Sequence, residues 1–512
     1  MLPTRKAFRA LAPLVALTLG ACSGFDNSTL NVAVIGEPDD PFKSGKEVTA
    51  SGQLIRAATV EGLVAFDEKG RVIPALADRW IVTDDGQSYI FRLRDGDWAS
   101  GDPISAESAK KALDTALKSL RRNTFALDLA GIDEVRVMAG RVVEIRLARP
   151  MPYLLQLLAQ PELGLYEDKQ GNGPMRMKKI GDVARLTPID PSTLGLPEIQ
   201  NWDKRTRNID LLSLSGPEAV QRFNDGKTDL VLGGRIEDFP LTRSVGILRG
   251  TIQLDPVVGL FGLQVMNDRG FLADPANREA LAMAIDRDAL IEQFRLGGWK
   301  PTTRIVTPSL DGDLGTIGER WSEQSLDERR AIAAARVRIW QASAKQDGDR
   351  AKQAAKAGAA PGPGAAAGPQ IRIWLPQGEG SDILLEKLGN DFAAIGLHLE
   401  KAESADSADL TLVDDVARYP RAVWYLNHLS CRAKFGLCSQ EADARVSEAL
   451  AAATPEERAA LMTEAEAELT ADNVYIPFGS PIRWSLVRGS VDGFATNSWG
   501  WHPLMPLAWL PR

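Results

Sequence analysis

The fold of this 512-residue chain is decided by residues 259–308, which read GLFGLQVMNDRGFLADPANREALAMAIDRDALIEQFRLGGWKPTTRIVTP. The apolar run Leu260–Met266 predicts a buried strand that ends at Asn267. Asp274 then predicts a helix N-cap, and Pro275 suits the first helical position, where a missing N–H costs nothing. The stretch therefore begins as a strand that leads into a capped helix.

A second helix follows almost at once. The apolar phase of the first helix breaks at Asp286, which predicts a second N-cap. The helix behind it carries Leu290, Ile291 and Phe294. Gly297-Gly298 predicts its end, because glycine accepts the left-handed C′ position freely. Taken alone, this pattern also fits two consecutive helices of any α/β protein, so the rest of the chain has to decide.

This order of residues resembles the start of the second lobe in extracellular solute-binding proteins of family 5, the receptors of ABC importers. The family pattern is an asparagine after a strand, then R-x-A-[LI]-x-x-A-I-D-R, then G-x-x-x-P. The matching residues here are Asn267, Arg278, Ala280, Leu281, Ala284, Ile285, Asp286, Arg287, Gly297 and Pro301.

Two further regions resemble the same family. Glu61-Gly62-Leu63 with Asp67 is similar to its E-G-L-x-x-x-D motif, and Tyr475-Ile476-Pro477 is similar to its Y-I-P motif. The resemblance spans about residues 30–510 and is weakest across 310–450. It implies an α/β, two-lobed fold like the periplasmic binding proteins (type II, cluster C), with an extra β-rich subdomain in lobe one.

The resemblance also implies a division of the chain. Lobe one would contain residues 30–258 and 478–512, with the extra subdomain at 46–165, and lobe two would contain 267–477. The chain would cross between the lobes near 259–266 and near 475–480. Residues 341–370 are rich in Ala, Gly and Pro and have almost no large apolar side chain, which predicts a disordered insertion.

The N-terminus is typical of a bacterial lipoprotein. A basic start is followed by the apolar run Ala10–Leu19, which is too short to span a bilayer. Leu19-Gly20-Ala21-Cys22 then fits a lipobox, so residues 1–21 are predicted to be a signal peptide and Cys22 the lipidated first residue of the mature protein. A plain secretory signal with a chance cysteine is the alternative. Either signal predicts the periplasm or the outer face of the cell envelope.

Composition narrows the function classes. A formal net charge of −8 argues against a nucleic-acid partner, since phosphate binding needs a basic face. Three histidines leave little material for a His-based metal site, and no HExxH, CxxC pair, EF-hand loop or nucleophile elbow is present. We therefore expect no enzyme activity, no cofactor and no metal.

Cys431 and Cys438 remain after Cys22 is lipidated. Outside the cytoplasm such a pair most simply forms a disulfide. The alternative is a metal pair completed by His428, which would lack a fourth ligand.

The ligand-binding residues are where the chain departs from the family. Peptide receptors of this type hold the peptide ammonium with an aspartate in a W-x-x-D-Y-x-x-P-like loop. Counting back from Pro420 places the tryptophan position at Val413 and the aspartate position at Val416. Asp415 could still anchor a cation after a one-residue indel, or it could cap a strand end beside Arg418.

Aromatic residues near the C-terminus offer either stacking surface for a ligand or core packing. The candidate ligand-binding residues are Asp414, Asp415, Trp424, Phe478, Arg483, Trp484 and Trp499.

These expectations combine into one function. The chain is predicted to be a monomeric, lipid-anchored receptor that captures a small solute (peptide-like, sugar or other) between two lobes and delivers it to an ABC permease. The alternative is a surface lipoprotein with a sensor or chaperone-like role that kept the fold and lost the import role.

Overall fold

The computed structural model describes residues 29–43, 49–121, 124–246, 250–310, 317–356 and 370–510. The strands are, in chain order, β1 (Thr29–Ile35), β2 (Val64–Phe66), β3 (Val72–Pro74), β4 (Ala77–Val82), β5 (Ser88–Leu93), β6 (Ile132–Ala139), β7 (Val142–Leu147), β8 (Tyr166–Glu167), β9 (Gln170–Gly171), β10 (Met175–Ile180), β11 (Val183–Pro188), β12 (Asn208–Leu214), β13 (Leu230–Gly234), β14 (Ile252–Asp255), β15 (Gly259–Val265), β16 (Gln370–Trp374), β17 (His398–Lys401), β18 (Leu410–Val416), β19 (Tyr475–Gly479) and β20 (Arg483–Val487).

The α-helices are α1 (Ala50–Thr59), α2 (Ala106–Leu120), α3 (Phe125–Asp128), α4 (Leu154–Leu158), α5 (Trp202–Arg205), α6 (Gly216–Asn224), α7 (Pro275–Ala284), α8 (Arg287–Glu292), α9 (Leu326–Lys356), α10 (Glu379–Ala393), α11 (Ala422–His428), α12 (Gln440–Ala451), α13 (Pro455–Ala471) and α14 (Leu504–Leu507). A 3₁₀ helix at Ile236–Ser244 follows β13 directly. None of the helices in the described ranges has both the length and the apolar character that crossing a membrane requires.

The first large sheet has seven strands in the order β10-β11-β12-β1-β13-β20-β14. Its centre is β1, which pairs in parallel with β12 and β13. Successive residues of β1 enter different cores, because side chains alternate across a strand. Val32 packs into the cluster on one face and Ala33 into the cluster on the other. Both faces of the sheet are therefore covered.

The second large sheet has five strands in the order β17-β16-β18-β15-β19. Its strand β15 opens the stretch that begins at residue 259, and every residue of β15 is buried. It pairs antiparallel with β18 on one side and β19 on the other. A strand covered on both faces reads as a continuous apolar run, which is how this segment appears in the sequence.

The chain passes between the two large sheets twice, through short connections at residues 256–258 and 480–482. Both connections lie within a few residues of the predicted crossings. Strand β19 extends to Gly479, so it continues two residues beyond the predicted end of lobe two at 477.

A third sheet, β4-β5-β7-β6, lies within the predicted extra subdomain at 46–165. Its core includes Phe91 and Ile145, and α2 adds Leu113 to it. The same apolar cluster continues into residues that follow the second large sheet, such as Tyr425 on α11. The rings of Tyr153 and Tyr419 stack across this junction with centroids 4.1 Å apart. The extra subdomain therefore packs directly on the part of the chain that follows the second large sheet.

The two predicted N-caps of the deciding stretch are confirmed. The Asp274 side chain accepts a hydrogen bond from the Ala276 N–H at 2.9 Å. Asp286 accepts from the Ala289 N–H at 3.1 Å. The predicted end of the second helix is wrong, because α8 already stops at Glu292, before the two glycines. Arg295 takes a left-handed φ of 53°, and Gly298 takes one of 83° further along the loop.

The predicted insertion at 341–370 also needs correction. Helix α9 continues to Lys356, so the first part of this segment is helical and not disordered. Alanine and lysine are strong helix formers, and the absence of large apolar residues did not outweigh that preference. Residues 357–369 lie outside the described ranges, and there the prediction stays a prediction.

Candidate functional site

A cavity of about 420 Å³ lies between the two large sheets, and we call it the central cavity. Val34 and Leu232 line it from the carboxyl ends of the parallel strands β1 and β13. Gln53 of α1 and Asp415 of β18 face it from other sides. Ligands of α/β sheets bind beyond the carboxyl ends of parallel strands, where connections diverge. The position and volume of this cavity make it the candidate binding site.

Four of the predicted ligand-binding residues line the central cavity. They are Asp415, Trp424, Arg483 and Trp499. Trp424 is almost completely buried, whereas Trp499 remains half-buried. The Nε1 atom of Trp499 donates to the carbonyl of Gly70 at 2.8 Å, which fixes the orientation of its ring.

The other three predicted residues do not line this cavity. Phe478 is fully buried in the core of the second sheet, with its ring centroid 5.7 Å from that of Phe261. Trp484 is buried in the apolar cluster on one face of the first sheet. The side chain of Asp414 is only 5% exposed and forms an ion pair with Arg483 at 2.8 Å. Strand alternation separates Asp414 from its neighbour Asp415, because adjacent residues point to opposite faces.

Asp415 directs its carboxylate into the central cavity, and 43% of its side chain is exposed. Its Oδ2 atom lies 3.2 Å from Nε2 of His428 on α11. Burial alone would raise the pKa of Asp415, but the hydrogen bond to His428 and the charges of His428, Arg235 and Arg483 lower this pKa to about 2. Asp415 is therefore an ionised carboxylate. The sequence left open that Asp415 caps a strand end beside Arg418, and the structure places His428 beside this carboxylate instead.

Arg418 is engaged elsewhere. Its guanidinium forms an ion pair with Glu162 at 2.9 Å and donates to Gln160 at 3.3 Å. It also lies over the ring of Phe125 at 4.3 Å. These contacts join the loop after β18 to the extra subdomain, so Arg418 serves as an interdomain contact at the edge of the cavity.

Arg235 also lines the central cavity, and the sequence did not single it out. It follows β13 directly and is exposed. Its Nη1 atom donates to the carbonyl oxygen of Asp414 at 3.2 Å. Burial tends to lower the pKa of Arg235, but the charges of Asp414, Glu237 and Asp415 raise it overall, so the guanidinium stays protonated. A lone arginine at the end of a buried strand was the available sequence signal.

A buried hydrogen-bond network borders the cavity beside α11. Asp128 accepts hydrogen bonds from the Tyr419 hydroxyl at 2.7 Å and from the Asn427 amide at 3.1 Å. Burial raises the pKa of Asp128, while these two hydrogen bonds act in the opposite direction. Asp128 belongs to α3 and its donors follow β18, so the network joins the two parts of the chain that enclose the cavity.

The C-terminal segment closes another wall. His502 lines the cavity, and its Nε2 atom lies 3.1 Å from Oδ2 of Asp255. The ring of His502 stacks on Phe494 with centroids 4.4 Å apart. His428 and His502 are thus both paired with aspartates.

Within the described ranges, the single group of three side chains that could hold a metal ion is Asp102, Glu167 and Asp168. This group lies at the surface and is not part of the cavity lining. Exposed carboxylates often cluster without a metal, and nothing else in the structure indicates an ion there.

A second cavity of about 450 Å³ lies beside the first, and we call it the apolar cavity. Phe66 and Gln160 line both cavities, so the two spaces adjoin. Its remaining lining is mainly apolar and includes Ala58, Val64, Ile73, Pro161, Leu504, Met505 and Trp509.

Cys431 and Cys438 are joined by a disulfide, with their Cα atoms 5.1 Å apart. The loop they close follows α11, whose His428 faces Asp415. Cys22, the predicted lipidation site, lies outside the described residues.

A sequence model of the bacterial extracellular solute-binding proteins, family 5 (middle region), matches residues 71–407. The chain belongs to this family. The resemblance inferred from the motifs is therefore confirmed, and it places the chain among bacterial extracellular solute-binding proteins.

Several relatives carry names that state a ligand. The oligopeptide-binding protein OppA of Bacillus subtilis is 24% identical over 56% of this chain and 57% of its own length. The probable deoxycholate-binding periplasmic protein YgiS of Escherichia coli is 36% identical over 54% of this chain and 56% of its own length. The chain thus spans about half the length of the curated relatives it matches.

Solved structures confirm the predicted two-lobed fold. Haemophilus influenzae OppA in complex with the peptide RPPGFSPFR superposes with a TM-score of 0.73, at 18% identity, over 95% of this chain and 99% of that one. Escherichia coli MppA gives 0.71 at 18% identity, over 94% and 97%. The unliganded open form of MppA gives only 0.59, over 94% and 96%. The arrangement of the lobes here is therefore nearer to that of the first MppA structure than to its open form.

Proposed function

We propose that this chain is a lipid-anchored substrate-binding receptor of an ABC importer. Its two lobes, residues 30–258 plus 478–512 and residues 267–477, would capture a small solute between them. A membrane permease would then accept the solute from the closed receptor. Lipidation of Cys22 would hold the receptor at the membrane surface, since more than one acyl chain is needed for stable anchoring.

The observation that carries the proposal is the central cavity between the two large sheets. Among the residues that the structure describes, the short connections at 256–258 and 480–482 carry the chain between those sheets. Such connections suit hinge closure, because a few residues can absorb the change in backbone angles. A solute bound between the lobes would favour the closed form by its difference in affinity for the two forms.

Peptide binding is one form of this function, and one residue weighs against it. Val416 lines the central cavity at the position where the family pattern of peptide receptors would place an aspartate. A valine cannot pair with a peptide ammonium, and a buried ammonium needs a paired charge. Relatives named for oligopeptides and for deoxycholate support a wider range of solutes.

The test uses the full chain with Cys22→Ser, so that the protein can be purified without its anchor. Native mass spectrometry should detect a small solute bound at a ratio of one to one. Small-angle scattering should show a smaller radius of gyration when the solute-free protein is saturated with that solute. A protein that carries no solute and that keeps the same radius with every extracted compound would contradict the receptor function.

A further inference from the structure

Arg235 contributes a positively charged guanidinium to the lining of the central cavity. In the described part of the chain, no carboxylate lies within ion-pair distance of its guanidinium. Its hydrogen bond goes to a main-chain carbonyl, that of Asp414. The two other arginines of the lining do have carboxylate partners, Arg418 with Glu162 and Arg483 with Asp414.

The acidic groups of the same lining are also committed. Asp415 pairs with His428 at 3.2 Å. Asp128 accepts two hydrogen bonds, from Tyr419 and Asn427. A cationic solute would have to compete with these partners for a carboxylate. An anionic solute would meet a guanidinium with free donor positions, and guanidinium groups bind carboxylates with two parallel hydrogen bonds.

The apolar cavity extends the site away from Arg235. It adjoins the central cavity at Phe66 and Gln160. Its lining contains three carboxylates. Glu61 pairs with Arg94 at 2.8 Å and Asp67 pairs with Arg71 at 2.6 Å, whereas Glu68 is half-buried at the edge of the cavity. The exposed surface of Ile73 and the side chains of α14 then offer a space for an apolar group.

We propose that the solute is an amphipathic organic anion, whose carboxylate is bound by Arg235 and whose apolar body extends past Phe66 into the apolar cavity. The inference rests on the proposed receptor function and specifies its ligand class. Together the two spaces have the volume that ligand pockets use for solutes of this size. Burial of the apolar body supplies affinity, and the guanidinium sets the orientation and the preferred charge.

The experiment measures binding by isothermal titration calorimetry to the full chain with Cys22→Ser. The probes are two scaffolds, deoxycholate and dodecanoate, each compared with the amide and the amine that replace its carboxylate. All are used below their micellar concentrations. We expect the carboxylate of at least one scaffold to bind about tenfold or more tightly than its amide, and the amine to bind most weakly.

Three variants locate the binding. Arg235→Gln should remove the preference for carboxylate over amide, and Arg235→Lys should keep part of it because the charge remains. Arg176→Gln is the matched control, since Arg176 is an exposed residue of β10 outside the lining of both cavities. Ala65→Phe fills the apolar cavity and should weaken the carboxylate about tenfold without changing the order of the head groups. Melting temperatures identify any variant that has lost its fold.

Binding of neither carboxylate would overturn this inference, and so would a preference for the amine or an unchanged carboxylate preference in folded Arg235→Gln. The proposed function has a separate readout. If native mass spectrometry finds a bound cationic or neutral solute that compacts the protein, the receptor function stands and the anion inference fails. If no solute of any charge is bound, the receptor function itself fails.

Discussion

The Nε2 atom of His428 lies 3.2 Å from Oδ2 of Asp415, across the central cavity wall formed by α11 and β18. This pairing bears on the role of ligand anchor that the sequence left open for Asp415. The carboxylate faces the cavity, as a ligand anchor would, but a residue of the protein already occupies it. We therefore expect Asp415 to contribute more to the stability of this wall than to the binding of a cationic ligand.

Asp415→Asn should lower stability at neutral pH. The folded-state pKa of Asp415 is lowered to about 2 from 3.8, so its contribution is fully present above pH 3.8 and is lost as pH falls through about 2. Because 43% of the side chain is exposed, solvent screening should limit the loss to about 1 kcal/mol or less. Urea unfolding of both proteins at intervals from pH 7 to pH 2.5 measures the difference. A constant difference across this range would contradict the role assigned to the ionised carboxylate.

Glu237→Gln should act in the opposite direction. Burial, followed by repulsion from Asp414, raises the pKa of Glu237 to about 7, and its Oε2 atom is buried without a hydrogen-bond partner. A carboxyl whose folded pKa is raised costs nothing below pH 4.5, where it is protonated in both states. The cost grows as pH rises and is complete above about 7.

The glutamine variant should therefore be more stable than the wild type at pH 8, by on the order of 1–3 kcal/mol. This gain should disappear near pH 4.5. Melting temperatures between pH 4.5 and 8.5 measure it, and Glu218→Gln on the exposed face of α6 is the control. If Glu237→Gln melts lower than the wild type at pH 8, the Glu237 carboxylate stabilises the fold and the predicted cost of its burial is wrong.

Lipidation of Cys22 is a prediction of the sequence alone. Cys22→Ser should move the protein from the membrane fraction to the soluble fraction and remove the mass of the acyl groups, because two or more acyl chains supply the anchoring energy. Cell fractionation and intact-protein mass spectrometry measure both effects. Cys431→Ser together with Cys438→Ser is the matched control, and it should leave the protein in the membrane. A Cys22→Ser protein that stays in the membrane would contradict the lipid anchor.

Local features were the part of the fold that the sequence predicted well. The N-caps at Asp274 and Asp286 depend on residues within three positions of the cap, so their pattern is visible along the chain. The end of α8 was missed because Arg295, a residue type that rarely takes a positive φ, adopts one ahead of the two glycines. The family motifs supplied the long-range arrangement, which periodicity alone does not contain.

The candidate site was predicted less well, because its residues come from distant segments. Arg235 contacts Asp414, which is 179 positions away in the sequence. Whether Asp414 or Asp415 faces the cavity depends on the register of β18 against β15, where Asp415 lies opposite Leu260. A shift of one residue would exchange the two side chains between the faces. Tryptophan content likewise could not separate Trp499 at the cavity from Trp484 in the core.

Two glycines of α10 offer a matched test of how the lobes close. The 3₁₀ helix Ile236–Ser244 extends from the first sheet and packs against the N-terminal end of α10, which follows the second sheet. A Cβ atom at Gly380 would lie 2.0 Å from the carbonyl oxygen of Ile236, which is backbone and cannot rotate away. A Cβ atom at Gly389 would meet nothing within 4 Å.

Gly380→Ala should therefore force the two lobes apart at this contact, while Gly389→Ala should stabilise the same helix. Overpacking of this kind costs about 1–3 kcal/mol, and the exposed replacement of glycine by alanine in a helix gains about 1 kcal/mol. Because Ile236 is buried in the core of the second sheet, separation would also expose apolar surface. Urea unfolding measures the two free energies, and small-angle scattering measures the radius of gyration, which should rise only in Gly380→Ala.

If the radius stays unchanged and stability still falls, the strain is absorbed within α10 and the contact does not control closure. Equal stability changes in the two variants would mean that helix propensity alone explains both. The close approach of Gly380 to Ile236 would then not contribute to holding the lobes together.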